Sequence, residues 1–220
     1  MAAQTRMTAT EVVSIGSMAE AAVGVAVIAL AIIGLAKIAT GSMIAIATII
    51  VGVALLMQGT EMAAESTALP EGVDASAGGG IMVEFLAGAA GIVLGILAFL
   101  DGNTTTIAPA ALIVFGGALL LGGTANSLVP QAASTNVLLA RQARIGASGA
   151  QVMIGAAVIV LGILAYVLPD RATTLILAGL LTLGASLIIT SAAIGFPQFI
   201  GDRAQEAAGM VTPRRTTPGE

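Results

Sequence analysis

Six long runs of apolar residues, at 20–37, 42–59, 81–100, 106–123, 151–168 and 173–195, dominate the chain, and almost no charge interrupts them. Runs of this length without charge predict membrane-spanning helices of roughly 17–20 residues, crossing with little tilt. The polar breaks between them alternate in length. Around Ala39–Gly41, Asp101–Thr105 and Pro169–Ala172 they are short, which forces antiparallel neighbours and predicts helical hairpins. The other breaks are long. The expected fold is an all-α integral membrane protein with six transmembrane helices arranged as three repeated hairpins. Its parts are a cytoplasmic N-terminal segment at 1–19, hairpin 1 at 20–59, an acidic linker at 60–80 and hairpin 2 at 81–123. A cytoplasmic linker at 124–150, hairpin 3 at 151–195 and a cytoplasmic tail at 196–220 complete it. Thr8 and Glu11 have capping-box spacing, so a short helix is expected to lead into the first span. From 201 onward the chain is rich in Thr, Pro and Arg and is expected to be largely without fixed structure unless a partner holds it.

The hairpins read as copies of one unit. Each first helix opens on a polar residue: Glu20, Glu84 and Gln151. Glycine follows four residues later, at Gly24, Gly88 and Gly155, and a small residue seven further on, at Ala31, Gly95 and Gly162. The second helices align less tightly, Gly52 with Gly116 and Gly117 with Gly184, and a proline follows each, at Pro70, Pro130 and Pro197. The run 21–36 has the length of a signal-peptide core, but its pattern returns later in the chain and places it in the fold.

Composition sharpens the picture. Of 220 residues, 57% are hydrophobic and 9% charged, and the mean hydropathy is +1.04. A soluble domain carries about 25% charged residues and could not cover itself with so few. Cysteine and histidine are absent, which excludes disulfides, thiol nucleophiles and the commonest general base and metal or haem ligand. No nucleotide loop or metal motif is present, and no catalytic residue, metal or cofactor is expected. A net charge of −4 gives no reason to expect nucleic acid. With six spans, both termini and both long linkers share a side, which holds Arg6, Arg141, Arg144, Arg203, Arg214 and Arg215; the tips hold Lys37 and Arg171. The positive-inside rule then puts both termini in the cytoplasm.

The stretch Gly88-Ala-Ala-Gly-Ile-Val-Leu-Gly-Ile-Leu-Ala-Phe-Leu100, followed by a polar tip and Leu112-Ile-Val-Phe-Gly-Gly-Ala-Leu-Leu-Leu-Gly-Gly123, resembles the repeat unit of the HdeD/DUF308-like family of small bacterial inner-membrane proteins. The segment Gly162-Ile-Leu-Ala-Tyr-Val-Leu-Pro169 is similar to that family's glycine-then-proline helix end. The resemblance covers roughly 84–195 well and 20–60 weakly. It implies six spans in repeated hairpins, placement in the plasma (inner) membrane of a prokaryote, a link to acid stress and no established catalytic residues.

Few residues carry candidate chemistry. Glu20, Glu84 and Gln151 share a helical stripe with the small residues, since offsets of four, seven and eleven stay on one face. That stripe holds Gly24, Gly88, Gly91, Gly95, Gly155 and Gly162, with GxxxG spacing between Gly91 and Gly95, and is expected to pack on another helix. If the hairpins surround a pseudo-threefold axis, the two carboxylates and the amide converge into an ion or proton site. The plainer reading is a carboxylate in a first turn, favoured by the helix dipole. Lys37 and Asp101 occupy matching helix ends, where they either pair or mark the interface. Thr48, Thr182, Ser186 and Thr190 either line a polar path or bond a carbonyl one turn back. Arg141 and Arg144 suit a short interfacial helix touching anionic headgroups, or a topology signal. The expected function is a non-enzymatic structural or accessory membrane protein, a homo-oligomer or a subunit of a larger complex in contact with membrane lipid. The alternative is a small proton or cation channel or transporter using Glu20 and Glu84. A membrane enzyme is the third reading, and only interfacial carboxylates are present to serve it.

Overall fold

The computed structural model describes the backbone at residues 9–67, 75–126 and 137–210, and side chains at 18–59, 82–123 and 149–192. Among the described residues the chain forms six α-helices: α1 (Ala9–Leu35), α2 (Thr40–Thr67), α3 (Ala75–Asp101), α4 (Thr104–Asn126), α5 (Val137–Val167) and α6 (Ala172–Met210). A single 3₁₀ turn, Pro169–Arg171, precedes α6. Each helix contains a stretch long and apolar enough to cross a membrane: Met18–Leu35, Thr40–Gly59, Met82–Asp101, Thr104–Gly123, Gly149–Val167 and Pro169–Ala192.

The helices form a closed ring in chain order, α6 packing back onto α1. Within it α2, α4 and α6 also touch one another and form an inner triangle, while α1, α3 and α5 fill the outer grooves. Burial follows that division. In the apolar stretches of α2, α4 and α6, 44%, 56% and 50% of residues are buried, against 22%, 33% and 28% in α1, α3 and α5. Phe115 fills the interior with Val27, Leu112, Val158, Ile176 and Leu180. Large apolar side chains cover the outside instead, among them Val25 and Ile32 on α1, Leu86, Val93 and Leu100 on α3, and Met153 and Val160 on α5.

Glycine sets the ring's closest approaches. A methyl group in place of the Gly116 hydrogen would stand 2.6 Å from the Gly155 carbonyl oxygen and 2.7 Å from Ile159. The same contact recurs between Gly52 and the Gly88 carbonyl, with Ile92, and between Gly184 and the Gly24 carbonyl, with Ile28. It therefore joins α2 to α3, α4 to α5 and α6 to α1, helices that the tight tips do not connect. Gly116, rather than Gly117, is the counterpart of Gly184. A side chain on Gly117 would meet nothing within 4 Å, and the sequence alone does not distinguish two adjacent glycines. Gly91 and Gly95, one turn apart on α3, serve different neighbours. Gly91 makes room for the Phe115 ring of α4, and Gly95 lies against Ile49 and the Ala45 carbonyl of α2.

The three tips turn differently. After α1, Lys37 takes a left-handed φ of 62°. Its N–H donates to Gly34 O at 3.0 Å and that of Ile38 to Ile33 O at 3.4 Å, the paired bonds of a Schellman ending with lysine where glycine is usual. The hydroxyl of Thr40 also donates to Gly34 O, at 3.1 Å. After α3, Gly102 takes the positive φ, 65°, and Asn103 Oδ1 accepts from Thr106 Oγ1 at 3.0 Å. After α5, Pro169 enters the 3₁₀ turn at a position that needs no N–H. Lys37 and Asp101 are both exposed.

Several expectations for the connecting segments change. Glu61 and Glu65 lie within α2, and Gly78–Gly80 within α3. Glu71, Asp74, Thr8, Pro70 and Pro130 lie outside the described residues. Arg141 and Arg144 lie in the opening turns of α5, continuous with its apolar stretch rather than in a separate short helix. Pro197 falls inside α6, and 201–210 remain helical. The strong helix formers Ala204 to Ala208 extend an element already nucleated, where polarity alone suggested an unstructured tail.

Gly116→Ala should lower stability by about 1–3 kcal/mol through overpacking against backbone. Gly117→Ala should leave it unchanged or raise it by up to about 1 kcal/mol. Thermal unfolding of the two variants in mild detergent separates these outcomes; equal effects would count against the packing described.

Candidate functional site

Glu20, Glu84 and Gln151 lie well inside α1, α3 and α5 rather than in their first turns, so the helix dipole does not account for the two carboxylates. Each sits one turn before the glycine of a close contact, and the contact that brings the backbones together also fixes where they lie. Four positions beyond Gly184, Gly52 and Gly116 stand Ile188, Leu56 and Leu120. Two further on are Thr190, Gln58 and Gly122, each within the apolar stretch of its helix. Gln58, on α2, donates from Nε2 to Glu20 Oε1 on α1. Glu84, on α3, faces the matching position of α4, which is Gly122. A methyl group there would overlap Glu84 Oε1 and lie 2.8 Å from its carboxyl carbon. Gln151 is buried at the corresponding position of α5.

Glu84 is fully buried, and neither carboxylate oxygen has a hydrogen-bond partner. Gln58 Oε1 is likewise buried without a donor. Glu20 is half-buried, bonded to Gln58, and within electrostatic reach of Glu84. The structure thus brings Glu20 and Glu84 together with a third residue, Gln58, which the sequence reading did not single out. The available signal was an amide near the end of an apolar run, at the register that Gly52, Gly116 and Gly184 share. Burying a polar group without a partner costs roughly 1–3 kcal/mol, and more for a charged one. Glycine at position 122 leaves room for the carboxylate but supplies no side-chain donor, so α4 does not repeat what Gln58 does for Glu20.

The hydroxyls do not extend this cluster into a polar path. Thr48 donates to Ile44 O at 2.8 Å, Thr182 to Ala178 O at 2.8 Å and Thr190 to Ser186 O at 3.0 Å, each one turn back along its own helix. Ser191 donates to Ile188 O at 2.9 Å. Among the described residues no group of three or more histidine, cysteine, aspartate or glutamate side chains gathers as a metal site would require. The six candidate packing glycines, Gly24, Gly88, Gly91, Gly95, Gly155 and Gly162, are all buried at contacts with neighbouring helices. The side chains of Arg141 and Arg144 lie outside the described residues.

Among the described residues, fold and site together define an all-helical protein with six helices long and apolar enough to cross a membrane, and with a small acidic cluster near one end of its bundle. No protein-family model matches the chain, and no similar curated protein or solved structure is found.

Replacing a buried, unpartnered carboxylate by an apolar group of similar size removes a desolvation cost of roughly 1–3 kcal/mol or more. Glu84→Met should therefore raise the unfolding temperature in buffer free of alkali-metal salts. A marked fall instead would show that the carboxylate contributes to holding the bundle together.

Proposed function

We propose that this chain is a non-enzymatic multi-pass membrane protein, a structural or accessory component of a prokaryotic inner membrane that self-associates or joins a larger assembly. Its unit is three copies of one helical hairpin, with both termini in the cytoplasm and the tight tips outside. The observation carrying this reading is the inversion of large apolar side chains. They cover the outer faces of α1, α3 and α5, while small residues and glycine line the contacts between helices. An exposed apolar surface of that extent suits lipid or another apolar partner and does not suit water. The filled interior around Phe115 supports a packing role over conduction along the axis. The HdeD/DUF308-like repeat resemblance is consistent with such a component and suggests a part in stress.

A second reading, a small proton or cation transporter, is favoured by one observation, the unpartnered Glu84 carboxylate beside Glu20. It requires access from both sides of the bilayer. Proton and monovalent-cation flux in proteoliposomes, native against Glu20→Gln/Glu84→Gln, tests it directly. The expected result is no flux above empty vesicles.

The chain has no native cysteine, so single cysteines report topology without background. Ala36→Cys, at an exposed tip, should react with a membrane-impermeant maleimide in intact cells, and a cysteine at Gly219 only after lysis. The opposite pattern overturns the orientation. Native mass in mild detergent should show an oligomer or a bound partner; a strict monomer with no partner overturns the accessory reading.

A further inference from the structure

We propose that Glu84, Gln58 and Glu20 form a binding site for a dehydrated alkali-metal cation inside the helix bundle, a site that stands whether or not the accessory role above is correct. Three buried oxygens, Glu84 Oε1, Glu84 Oε2 and Gln58 Oε1, are acceptors without a donor. Gln58 gives its amide nitrogen to Glu20, which leaves its carbonyl oxygen for something else. Gln58 is bonded to Glu20, and the packing of α2 on α3 carries Gln58 and Glu84 to the same level: a Cβ on Gly59, next to Gln58, would stand 3.0 Å from the amide nitrogen of Phe85, next to Glu84. Buried acceptors in such number without donors are rare in folded proteins and indicate a missing positive or protic partner.

The chemistry of the ligands narrows the partner. All are oxygens, and the chain has no histidine or cysteine, so a hard cation fits and a soft transition metal does not. Calcium takes six to eight oxygens, and magnesium gives up its water reluctantly and demands octahedral geometry. Both ions bring two positive charges, which a single fully buried carboxylate does not balance. Only Glu84 is fully buried, so only one negative charge needs full compensation inside the bundle, which suits a single positive charge. A lone proton on Glu84 would satisfy one carboxylate oxygen by covalent attachment and one acceptor by donation, leaving the third still bare. A metal cation accepts several such oxygens at once. Gly122 keeps the site open, because any side chain there would displace the carboxylate.

Ligand binding to the folded state alone raises the unfolding temperature with ligand concentration. Thermal unfolding of the full-length protein in detergent should therefore shift upward in lithium, sodium or potassium chloride relative to choline chloride at equal ionic strength. The shift should vanish in Glu84→Gln. In Gln58→Leu and Gly122→Ala the concentration needed should rise roughly tenfold or more, as expected for losing or displacing one ligand to a charged group. The two variants act independently, so one that folds poorly leaves the other to report. Identical unfolding in choline and in every alkali salt would overturn the proposal and leave Glu84 with a proton only. A shift that survives Glu84→Gln would equally overturn it, placing cation binding elsewhere on the chain.

Discussion

Close backbone approach at three glycine pairs holds this architecture together. Between apolar helices in an apolar solvent there is no hydrophobic gain from contact, so association depends on dispersion at short range and on what polar bonds the helices exchange. Gly24 with Gly184, Gly52 with Gly88, and Gly116 with Gly155 bring carbonyl oxygens to where a side chain would otherwise stand. An isoleucine one turn along seats against each pair: Ile28, Ile92 and Ile159. Each contact joins the second helix of one hairpin to the first helix of the next, and the third returns to the beginning. The tips need only reverse the chain, which explains why three unrelated turns do so.

That arrangement shows what the sequence could and could not convey. The apolar runs placed all six helices, because length and absence of charge are local properties. The offset of four residues from Glu20, Glu84 and Gln151 to glycine was visible for the same reason. The identity of the partner helix was not, because it depends on the order in which hairpins meet around an axis. Gly116 and Gly117 illustrate the limit: adjacent, chemically identical, one pressed against backbone and the other facing open space. Gln58 was missed since its meaning lies in the distance to Glu20, 38 positions away in the chain. The helical course of 201–210 is legible in the helix propensity of Ala204 to Ala208 and not in their polarity, which by itself points to an unstructured tail.

The acidic cluster follows from the same geometry. A polar residue one turn ahead of a glycine that must sit deep in a contact is itself drawn toward the interior. In the first hairpin an amide meets it, and in the second a glycine does. The near-repetition of the unit thus produces an asymmetric site, with Glu20 bonded and Glu84 left bare, from positions that are otherwise equivalent. Internal repeats that differ at one matching position concentrate chemistry in this way without any new element of fold.

Were the chain to enter a bilayer one helix at a time, ring closure between α6 and α1 would set the order of events. The glycine faces of α2 and α3 can meet as soon as α3 is in place, and those of α4 and α5 follow. Gly24 has to wait for Gly184, the last helix to arrive, with four helices inserted between them. Until then α1 would be held only by α2, with its small-residue groove uncovered. The first helix made would be the last one locked, and its glycine face would stay open to other neighbours until the ring closed.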